Sequence, residues 1–244
     1  MRVVSIVPSA TETLRALDQG SKLVGQTSHD QADAAVVGGW LTPDLDTIVA
    51  LEPDVVLAVD ALQDAIVDRL SDRGLEVVHV TPGTLGEVFD AIVTLGTAVD
   101  ARVAAKDLGT SLRKRCNRVA DRAPSSDRPV VYCEEWSDPP MVAGNWVPDM
   151  VETAGGTYPF VSPGDRSRRV DRATVEAAAP TYVVLHPCGR GVDTDPHTFA
   201  DRGWSVPALE TNRVVAVDDA LFNRPGPSLV NGIEWLAALL DSRQ

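Results

Sequence analysis

Short apolar runs rich in valine alternate with segments of helical periodicity along this chain of 244 residues. Because parallel strands need a crossover helix between them, the alternation predicts an α/β fold with mainly parallel sheets. The predicted strands are Arg2–Val7, Lys22–Gln26, Asp54–Val59, Glu76–Val80, Val130–Cys133, Tyr182–His186 and Val214–Val217. The predicted helices lie near Ala10–Leu17, Leu45–Leu51, Leu62–Arg73, Val147–Ala154, Arg172–Ala178 and Leu229–Leu240.

A stretch without proline separates the two series of strands. From Leu85 to Ala123, leucine, isoleucine and valine recur at three- and four-residue steps, as on one face of a helix. Gly96 and Gly109 weaken this pattern, so the stretch is predicted to form either one helix or two. The sequence thus predicts an α/β lobe at residues 1–84 and another at residues 124–244, joined by a helical connector, 85–123.

The balance of charges argues against one class of partner. The 35 acidic residues outnumber the 22 lysines and arginines, so the formal net charge at pH 7 is -13. Nucleic-acid binding needs a basic surface that neutralises phosphates, so nucleic acid is not an expected partner. No apolar run approaches the ~20 residues that a membrane-spanning helix needs, so no membrane segment is predicted.

Two features indicate the compartment. The chain enters a strand-like run at Arg2, without the charged region, apolar core and cleavage site of a secretory signal. The three cysteines, Cys116, Cys133 and Cys188, have no CxxC spacing, which agrees with a reducing compartment and argues against a disulfide framework. A cytoplasmic location is therefore expected, or the periplasm or cell surface if a signal peptide has been removed.

Two tryptophans occupy an irregular segment that follows a predicted strand. Trp136 and Trp146 flank the pair Pro139-Pro140, which removes two backbone donors and breaks regular structure. In open α/β sheets ligands bind at the carboxyl ends of the strands, so indoles at this position favour a ligand-facing role. The alternative is that the two rings close the top of a core, as large aromatic side chains commonly do.

Polar residues near other strand ends are further candidates for ligand contact. Ser9 and Thr11 lie where the first helix begins, so hydroxyls and free N–H groups there would meet an acceptor of the ligand. Ser9 and Glu12 also have the spacing of a capping box, which predicts a helix start directly after Ser9 and explains that serine equally well. Glu135 would accept from ligand amides, and Arg224 would reach an anionic group or bridge loops.

Histidine and cysteine residues raise an alternative function. His29 and Cys188 each follow a predicted strand, and Cys133 ends another. Imidazole and thiolate bind cobalt, iron or zinc, so a metal-dependent enzyme using these residues with Glu135 is one hypothesis, and buried structural cysteines are the other. The chain lacks GxSxG, GxxxxGK[ST] and HExxH, and it lacks GxGxxG after the first strand, so a non-catalytic protein is the main expectation.

Several stretches, taken in order, resemble one family. They are Val4–Glu12, Lys22–Asp30, Gly38–Trp40 with Asp44–Asp54, Trp136–Trp146, His186–Gly189 and Phe222–Pro227. The ordered set resembles the helical-backbone class (class III) of periplasmic-type substrate-binding proteins, which bind cobalamin or ferric siderophores for ABC importers. The last three stretches resemble a cobalamin-binding-like subgroup that often lacks a secretion signal.

This resemblance implies two Rossmann-like lobes with central, mainly parallel sheets, a connecting helix and a ligand in the cleft between the lobes. It implies a non-catalytic carrier that holds a corrinoid such as cobalamin and requires no other cofactor. A ferric siderophore or haem is the alternative ligand. The implied walls of the site are Trp40, Trp136, Trp146 and Phe222, and its implied polar contacts are Ser9, Thr11, His29, Glu135, Cys188 and Arg224.

The same resemblance implies an ABC permease as a partner. Members that dock an importer usually carry an acidic residue on each lobe, near the start of corresponding helices. Asp46 takes this place on the first lobe, whereas Ala173 stands at the corresponding place on the second. The sequence therefore supports permease docking through one lobe and not through the other.

Overall fold

The computed structural model describes residues 1–30 and 33–241, so residues 31–32 and 242–244 of the predicted lobes lie outside the described part. The chain divides into two compact units. The first unit contains residues 1–82, 86–113 and 225–227, and the second contains residues 83–85, 114–224 and 228 onward. Each unit is built on a mainly parallel sheet, which confirms the predicted α/β fold with two lobes. The predicted lobe boundaries stay a prediction.

The first unit is a parallel sheet with helices on both faces. Its strands are β1 (Val3–Ser5), β2 (Leu23–Gln26), β3 (Ala35–Val36), β4 (Gly38–Gly39), β5 (Thr42–Pro43), β6 (Val55–Val59) and β7 (Val77–Val80). Its helices are α1 (Pro8–Ala16), α2 (Leu45–Ala50), α3 (Asp64–Ser71), most of α4 (Leu85–Ala98) and the first part of α5 (Arg102–Ala120). The strand order is β3-β2-β1-β6-β7, and every neighbouring pair is parallel, while β4 and β5 form a separate hairpin.

Strand β6 shows why the faces of this sheet are closed to a ligand. Val55, Leu57 and Val59 pack in one hydrophobic cluster with residues of α1, α4 and α5. Val56 and Ala58 pack in another cluster with residues of α2 and α3. This alternation follows from the two-residue period of a strand that is buried on both faces. The ends of the strands remain as the places where a ligand can reach the sheet.

The stretch predicted as a connector contains two helices. Asp100 has a φ of 59°, and the N–H of Ala101 donates to the carbonyl of Gly96 at 2.7 Å, which closes the last turn of α4. Of the two alternatives that the sequence leaves open, two helices is therefore the observed one. The break falls just after Gly96, whereas Gly109 lies inside α5.

The second unit is a mixed sheet. Its strands are β8 (Val131–Ser137), β9 (Pro140–Val142), β10 (Arg168–Arg169), β11 (Tyr182–Leu185) and β12 (Val214–Ala216). Its further helices are α6 (Val147–Thr153), α7 (Arg172–Ala178), α8 (His197–Ala200), α9 (Pro207–Glu210), α10 (Ala220–Asn223) and α11 (Leu229–Asp241). The order is β10-β9-β8-β11-β12, in which β8, β11 and β12 are parallel and β9 and β10 pair antiparallel.

Two local predictions are wrong. The segment after Cys133 was expected to be irregular, but β8 continues to Ser137 and returns as β9 through a turn at Asp138–Pro139. Pro140 is accommodated because it is the first residue of its strand. Helix α1 begins at Pro8 rather than after Ser9, and its N-cap is Val7, without a side-chain cap. Proline suits the first helical position, so the helix starts early and the capping box does not form.

None of the helices formed by residues 1–30 and 33–241 combines the length and the apolar character that are needed to cross a membrane.

Candidate functional site

Exposed apolar side chains concentrate in the segments that follow strands. In the part of the chain that the structure describes, eight large hydrophobic side chains are exposed. Five of them lie at or after the ends of strands: Val36 ends β3, Leu41 lies in the turn between β4 and β5, Leu62 follows β6, Trp136 lies near the end of β8 and Val192 follows β11. Ligands of α/β proteins bind at the carboxyl ends of the strands, and exposed apolar side chains there offer contact area to a ligand. These strand-end segments are therefore the candidate functional site in each unit.

Gln63 ties together the strand ends of the first unit. Its side chain is fully buried, and its Oε1 accepts from the N–H of Val59 at 2.9 Å. Its Nε2 donates to the carbonyl of Ile6 at 2.9 Å and to the carbonyl of Trp40 at 2.7 Å. One amide thus connects the segments after β1 and β6 with the β4–β5 hairpin. Because all three segments are held to one group, the half-buried Trp40 is placed by Gln63.

A strained turn follows β6. Asp60 has a φ of 91°, which is uncommon for a residue other than glycine, and its carboxylate accepts from the N–H of Leu62 at 2.8 Å. This contact helps hold the turn that carries Leu62, whose side chain is 57% exposed. The turn thus presents an aliphatic side chain beside a carboxylate.

The loop after β2 presents His29. The carboxylate of Asp30 accepts from the hydroxyl of Thr27 at 2.6 Å and from its N–H at 3.2 Å. The N–H of His29 donates to Oγ1 of Thr27 at 3.3 Å, and the residue is exposed. These local bonds form a compact turn, as aspartate and threonine commonly do. A role of His29 in ligand contact stays a prediction.

Ser9 and Thr11 lie inside the first unit rather than on its surface. Thr11 donates through Oγ1 to Oγ of Ser5 at 2.9 Å, and Ser5 donates in turn to the carbonyl of Val7 at 2.9 Å. Ser9 is 1% exposed, and its Oγ has no hydrogen-bond partner among the described residues. The hydroxyl of Thr11 is thus used within the fold, and we leave both residues out of the exposed candidate surface.

Trp136 is the exposed indole of the second unit. It lies near the end of β8, its side chain is 47% exposed, and its Nε1 donates to the carbonyl of Asp138 at 2.9 Å. That bond fixes the ring on its own turn, so the indole is a rigid platform with a free face. Glu135 precedes it in the strand and is half-buried. A platform of this kind suits stacking against a flat ligand.

Asp219 and Asn223 hold the segment that follows β11. The carboxylate of Asp219 is buried and accepts from the N–H groups of Gly189 at 3.1 Å and Gly191 at 2.8 Å. The Nδ2 of Asn223 donates to Sγ of Cys188 at 3.2 Å, and the N–H of Cys188 donates to the carbonyl of Glu135 at 2.9 Å. Together these bonds place the exposed Cys188 beside the end of β8.

Trp146 and Phe222 differ from the other aromatic candidates, because they are core residues of the second unit. Phe222 is fully buried, and Trp146 is 5% exposed and donates through Nε1 to the carbonyl of Phe222 at 2.7 Å. The Phe222 ring stacks on the imidazole of His186 with 4.8 Å between centroids. Rings with so little exposed area present no wall to a ligand, so we leave them out of the candidate surface. Arg224, which follows, is half-buried.

His186 is a buried neutral imidazole. Its Nδ1 lies 2.7 Å from Oδ1 of Asn223, which accepts only, so Nδ1 carries the proton. Its Nε2 has no hydrogen-bond partner among the described residues. Burial lowers the pKa of His186 to about 4, and the hydrogen bond to Asn223 opposes this shift only in part.

The described residues form no cluster of metal ligands that would support the hypothesis of a metal-dependent enzyme. Within residues 1–30 and 33–241, no group of three or more histidine, cysteine, aspartate or glutamate residues is arranged to hold a metal ion. Cys133 is a core residue, and burial raises the pKa of its thiol. Desolvation of the sulfur, together with the nearby carboxylates of Glu135 and Asp219, raises the pKa of Cys188 to about 12. Both thiols are therefore protonated at neutral pH, and neither is an activated nucleophile.

The strand-end segments carry an excess of negative charge. In the first unit, residues 6–9, 27–30, 37–43, 60–63 and 81–82 contain Asp30 and Asp60 but no lysine or arginine. In the second unit, residues 135–139, 186–195 and 217–224 contain six acidic residues and two arginines, Arg190 and Arg224. A neutral or cationic ligand therefore suits the strand-end segments of each unit better than an anionic one.

The residues implied in permease docking lie at helix starts, as expected. Asp46 is exposed in the first turn of α2, and its carboxylate lies 3.9 Å from the guanidinium of Arg73. Ala173 is exposed in the first turn of α7. Docking through Asp46 stays a prediction.

The sequence analysis missed several residues of this surface. Leu62, Leu41 and Val36 are ordinary aliphatic residues by sequence, and only their exposure marks them. For Leu62 the available signal is its position just after the predicted strand Asp54–Val59, whereas Val36 and Leu41 follow no predicted strand closely. Nothing in the sequence indicates the role of Gln63. Its three hydrogen-bond partners are backbone groups of Val59, Ile6 and Trp40, and the last two are distant in sequence.

Comparisons with known proteins agree with this architecture. A family model described as "Periplasmic binding protein" matches residues 3–221. An uncharacterized ABC transporter substrate-binding lipoprotein of Bacillus subtilis is 28% identical over 97% of this chain and 78% of its own length. The vitamin B12-binding protein of Vibrio parahaemolyticus is 26% identical over 95% of this chain and 86% of its own length. The solved structure of a periplasmic heme-binding protein from Roseiflexus is 20% identical, with a TM-score of 0.84 and coverage of 100% of this chain and 99% of that one.

Proposed function

Because this chain belongs to the periplasmic binding protein family, we propose that it is a solute-binding protein whose ligand is a corrinoid such as cobalamin. The family match over residues 3–221 confirms the resemblance that the sequence analysis found. The family consists of substrate-binding proteins rather than catalysts. The corrinoid is the specific part of the proposal, and it rests on the strand-end segments.

The observation that carries the proposal is the combination of exposed apolar side chains with acidic surroundings. Leu62 in the first unit and Trp136 in the second each expose apolar area that suits a broad, partly apolar ligand. Asp60 and Glu135 lie beside them in sequence and supply carboxylate acceptors. A site of this kind favours a large ligand that has apolar faces and N–H donors at its periphery.

A corrinoid meets these conditions better than the alternative ligands. Its macrocycle is broad, and its periphery carries carboxamide groups that donate hydrogen bonds to carboxylates. Haem carries two propionates, and ferric catecholate complexes are anionic, so both would meet like charge at these segments. The vitamin B12-binding name of the Vibrio relative supports a corrinoid, whereas the name of the Roseiflexus structure supports haem as the competing ligand.

The names of the relatives are relevant to the cellular location of the protein and to the delivery of its ligand. Their names give no support to the expected cytoplasmic location, since one is called a lipoprotein and another periplasmic. We therefore propose a location outside the cytoplasm and delivery of the ligand to an ABC importer, as the name of the Bacillus relative suggests.

Calorimetric titration of the purified chain with cobalamin, cobinamide, haem and a ferric catecholate tests the proposal. We expect the corrinoids to bind most tightly. Replacing Trp136 by alanine should weaken corrinoid binding about tenfold or more, which corresponds to ~1.4 kcal/mol. Val103→Ala is the control, because Val103 is exposed on α5 and does not belong to the strand-end segments. It should bind as the unmodified chain does.

Two results would contradict the proposal. One is an absence of heat with both corrinoids. The other is tighter binding of haem or of the ferric catecholate, which would identify an iron ligand instead.

A further inference from the structure

A buried ion pair lies directly beneath the candidate surface of the second unit. The carboxylate of Glu134 is fully buried. It receives two bonds from the guanidinium of Arg202, at 2.6 and 2.7 Å, and a third from the hydroxyl of Tyr132 at 2.9 Å. Such a two-pronged pair fixes direction as well as distance. Glu134 immediately precedes Glu135 and Trp136, so the pair anchors the strand that presents them.

Aromatic rings hold the guanidinium of Arg202 in place. It lies 5.2 Å from the ring centroid of Phe199 and 5.4 Å from that of Trp204. It also donates to the carbonyl of Ser137 at 3.4 Å, near the turn that leads into β9. Planar stacking combined with a forked contact is a geometry that arginine forms and lysine does not.

Arg202 also fixes the C-terminal end of the segment that carries Cys188 and Val192. That segment leaves β11 at Leu185 and is bound near its start by Asp219, through Gly189 and Gly191. It next reaches a buried contact at Phe199, and Arg202 follows directly. The residues between these two anchors include Val192, which is 73% exposed. One end of the segment is thus tied to Asp219 and the other to Glu134.

We propose that Arg202, acting through Glu134, is a positioning residue that sets the ligand-facing residues of β8 and the 188–201 segment in register without touching the ligand. The inference rests on the proposed function, because it assigns those residues to ligand contact. Arg202 itself is anchored within the second unit by Glu134, Phe199 and Trp204. Its effect on binding is therefore indirect.

The test compares Arg202→Lys with Arg202→Met and with the double variant Glu134→Gln, Arg202→Met. Hydrogen exchange of amides 188–201 is measured without ligand, and cobalamin affinity is measured by calorimetry. For Arg202→Lys we expect exchange in 188–201 to be about tenfold faster, with the exchange of β11 unchanged. Cobalamin affinity should fall about tenfold. The double variant leaves no unpaired buried charge, so it should fold well and yet bind weakly.

Arg213 provides the matched control. Its guanidinium lies 4.9 Å from the ring centroid of Tyr182, at the opposite end of the same sheet, where β11 and β12 begin. Arg213→Lys should leave both exchange in 188–201 and cobalamin affinity unchanged.

Several outcomes would overturn the inference. Wild-type affinity in Arg202→Lys or in the double variant would show that the ion pair serves stability alone. Faster exchange with unchanged affinity would show that the register of the segment does not matter for binding. If the unmodified chain binds no corrinoid, the proposed function fails. In that case, unchanged exchange in Arg202→Lys would also show that Arg202 does not hold the 188–201 segment in place. Faster exchange would show that Arg202 holds the segment but has no role in corrinoid binding.

Discussion

Gln63 and Asp219 each use a buried side chain to hold backbone groups in place. Gln63 makes three bonds to main-chain groups, and Asp219 accepts from two main-chain N–H groups. A segment that is fixed before the ligand arrives loses less conformational entropy on binding. These residues therefore prepare the candidate surface although they contribute little exposed area to it.

His186 makes stability depend on pH. Its pKa is about 4 in the folded chain and ~6.5 in the unfolded chain, so between these values only the unfolded chain takes up the proton. The contribution of His186 is complete above pH 6.5 and is lost as the pH falls towards 4. We expect this residue to cost about 3 kcal/mol of unfolding free energy between pH 7 and pH 4. Urea unfolding at the two pH values measures the loss.

His186→Gln is the control for that measurement, because glutamine does not titrate in this range. The variant should lose about 3 kcal/mol less than the unmodified chain over the same interval. Equal losses in the two proteins would show that other groups, such as carboxylates, cause the whole pH dependence.

At the scale of elements, α4 and α5 pack closely only where a glycine permits it. A Cβ on Gly96 would lie 2.8 Å from Cδ1 of Leu17 and closer still to Cβ of Ala105. A Cβ on Gly109 would meet only Cγ2 of Val93 at 3.5 Å and the carbonyl of Phe89 at 3.6 Å, which are ordinary contacts. The two glycines that weaken the helical pattern in the sequence therefore have different reasons to be there.

Alanine substitutions should separate these two roles. Gly96→Ala is expected to lower the unfolding free energy by about 1–3 kcal/mol, because Ala105 and Leu17 have to move. Gly109→Ala is expected to raise it by about 0.5–1 kcal/mol, because alanine favours the helix and has room. Urea unfolding compares the two variants. A gain in stability for Gly96→Ala would contradict the close packing of the two helices.

At the scale of the whole molecule, net charge governs the response to salt. The formal charge of -13 repels itself in the folded chain, and salt screens that repulsion. Raising sodium chloride from about 10 mM to 500 mM at pH 7 should stabilise the fold by roughly 1–2 kcal/mol, or about 2–8 °C in melting temperature. Thermal unfolding followed by circular dichroism measures this shift.

The same salt series close to the sequence pI of 4.6 is the internal control, since the net charge is small there. The stabilisation should largely vanish at that pH. A fall in melting temperature with salt at pH 7 would show that exposed ion pairs, such as Arg113 with Asp90, outweigh the net repulsion, because salt screens exposed pairs more than buried ones.

The sequence by itself determined the order and type of the main elements, since periodicity is a local property of the side chains. Every predicted strand and helix corresponds to an observed one within a few residues, and the family resemblance followed from the same ordered stretches. It also predicted Trp136 as a ligand-facing residue; its indole is exposed near the end of β8, and its role in binding stays a prediction. The sequence did not predict the short strands β3, β9 and β10, because their pairing partners rather than their own residues define them as strands.

Only the tertiary structure decided which candidates face solvent and which are core. Trp136 and Trp146 are alike by sequence, yet the fold exposes the first and binds the second to the carbonyl of Phe222. Likewise, nothing local distinguishes Glu134 from Glu135, and only the approach of Arg202 from 68 residues away makes a buried carboxylate stable. Burial and long-range pairing depend on what the rest of the chain brings alongside, and no local pattern contains that information.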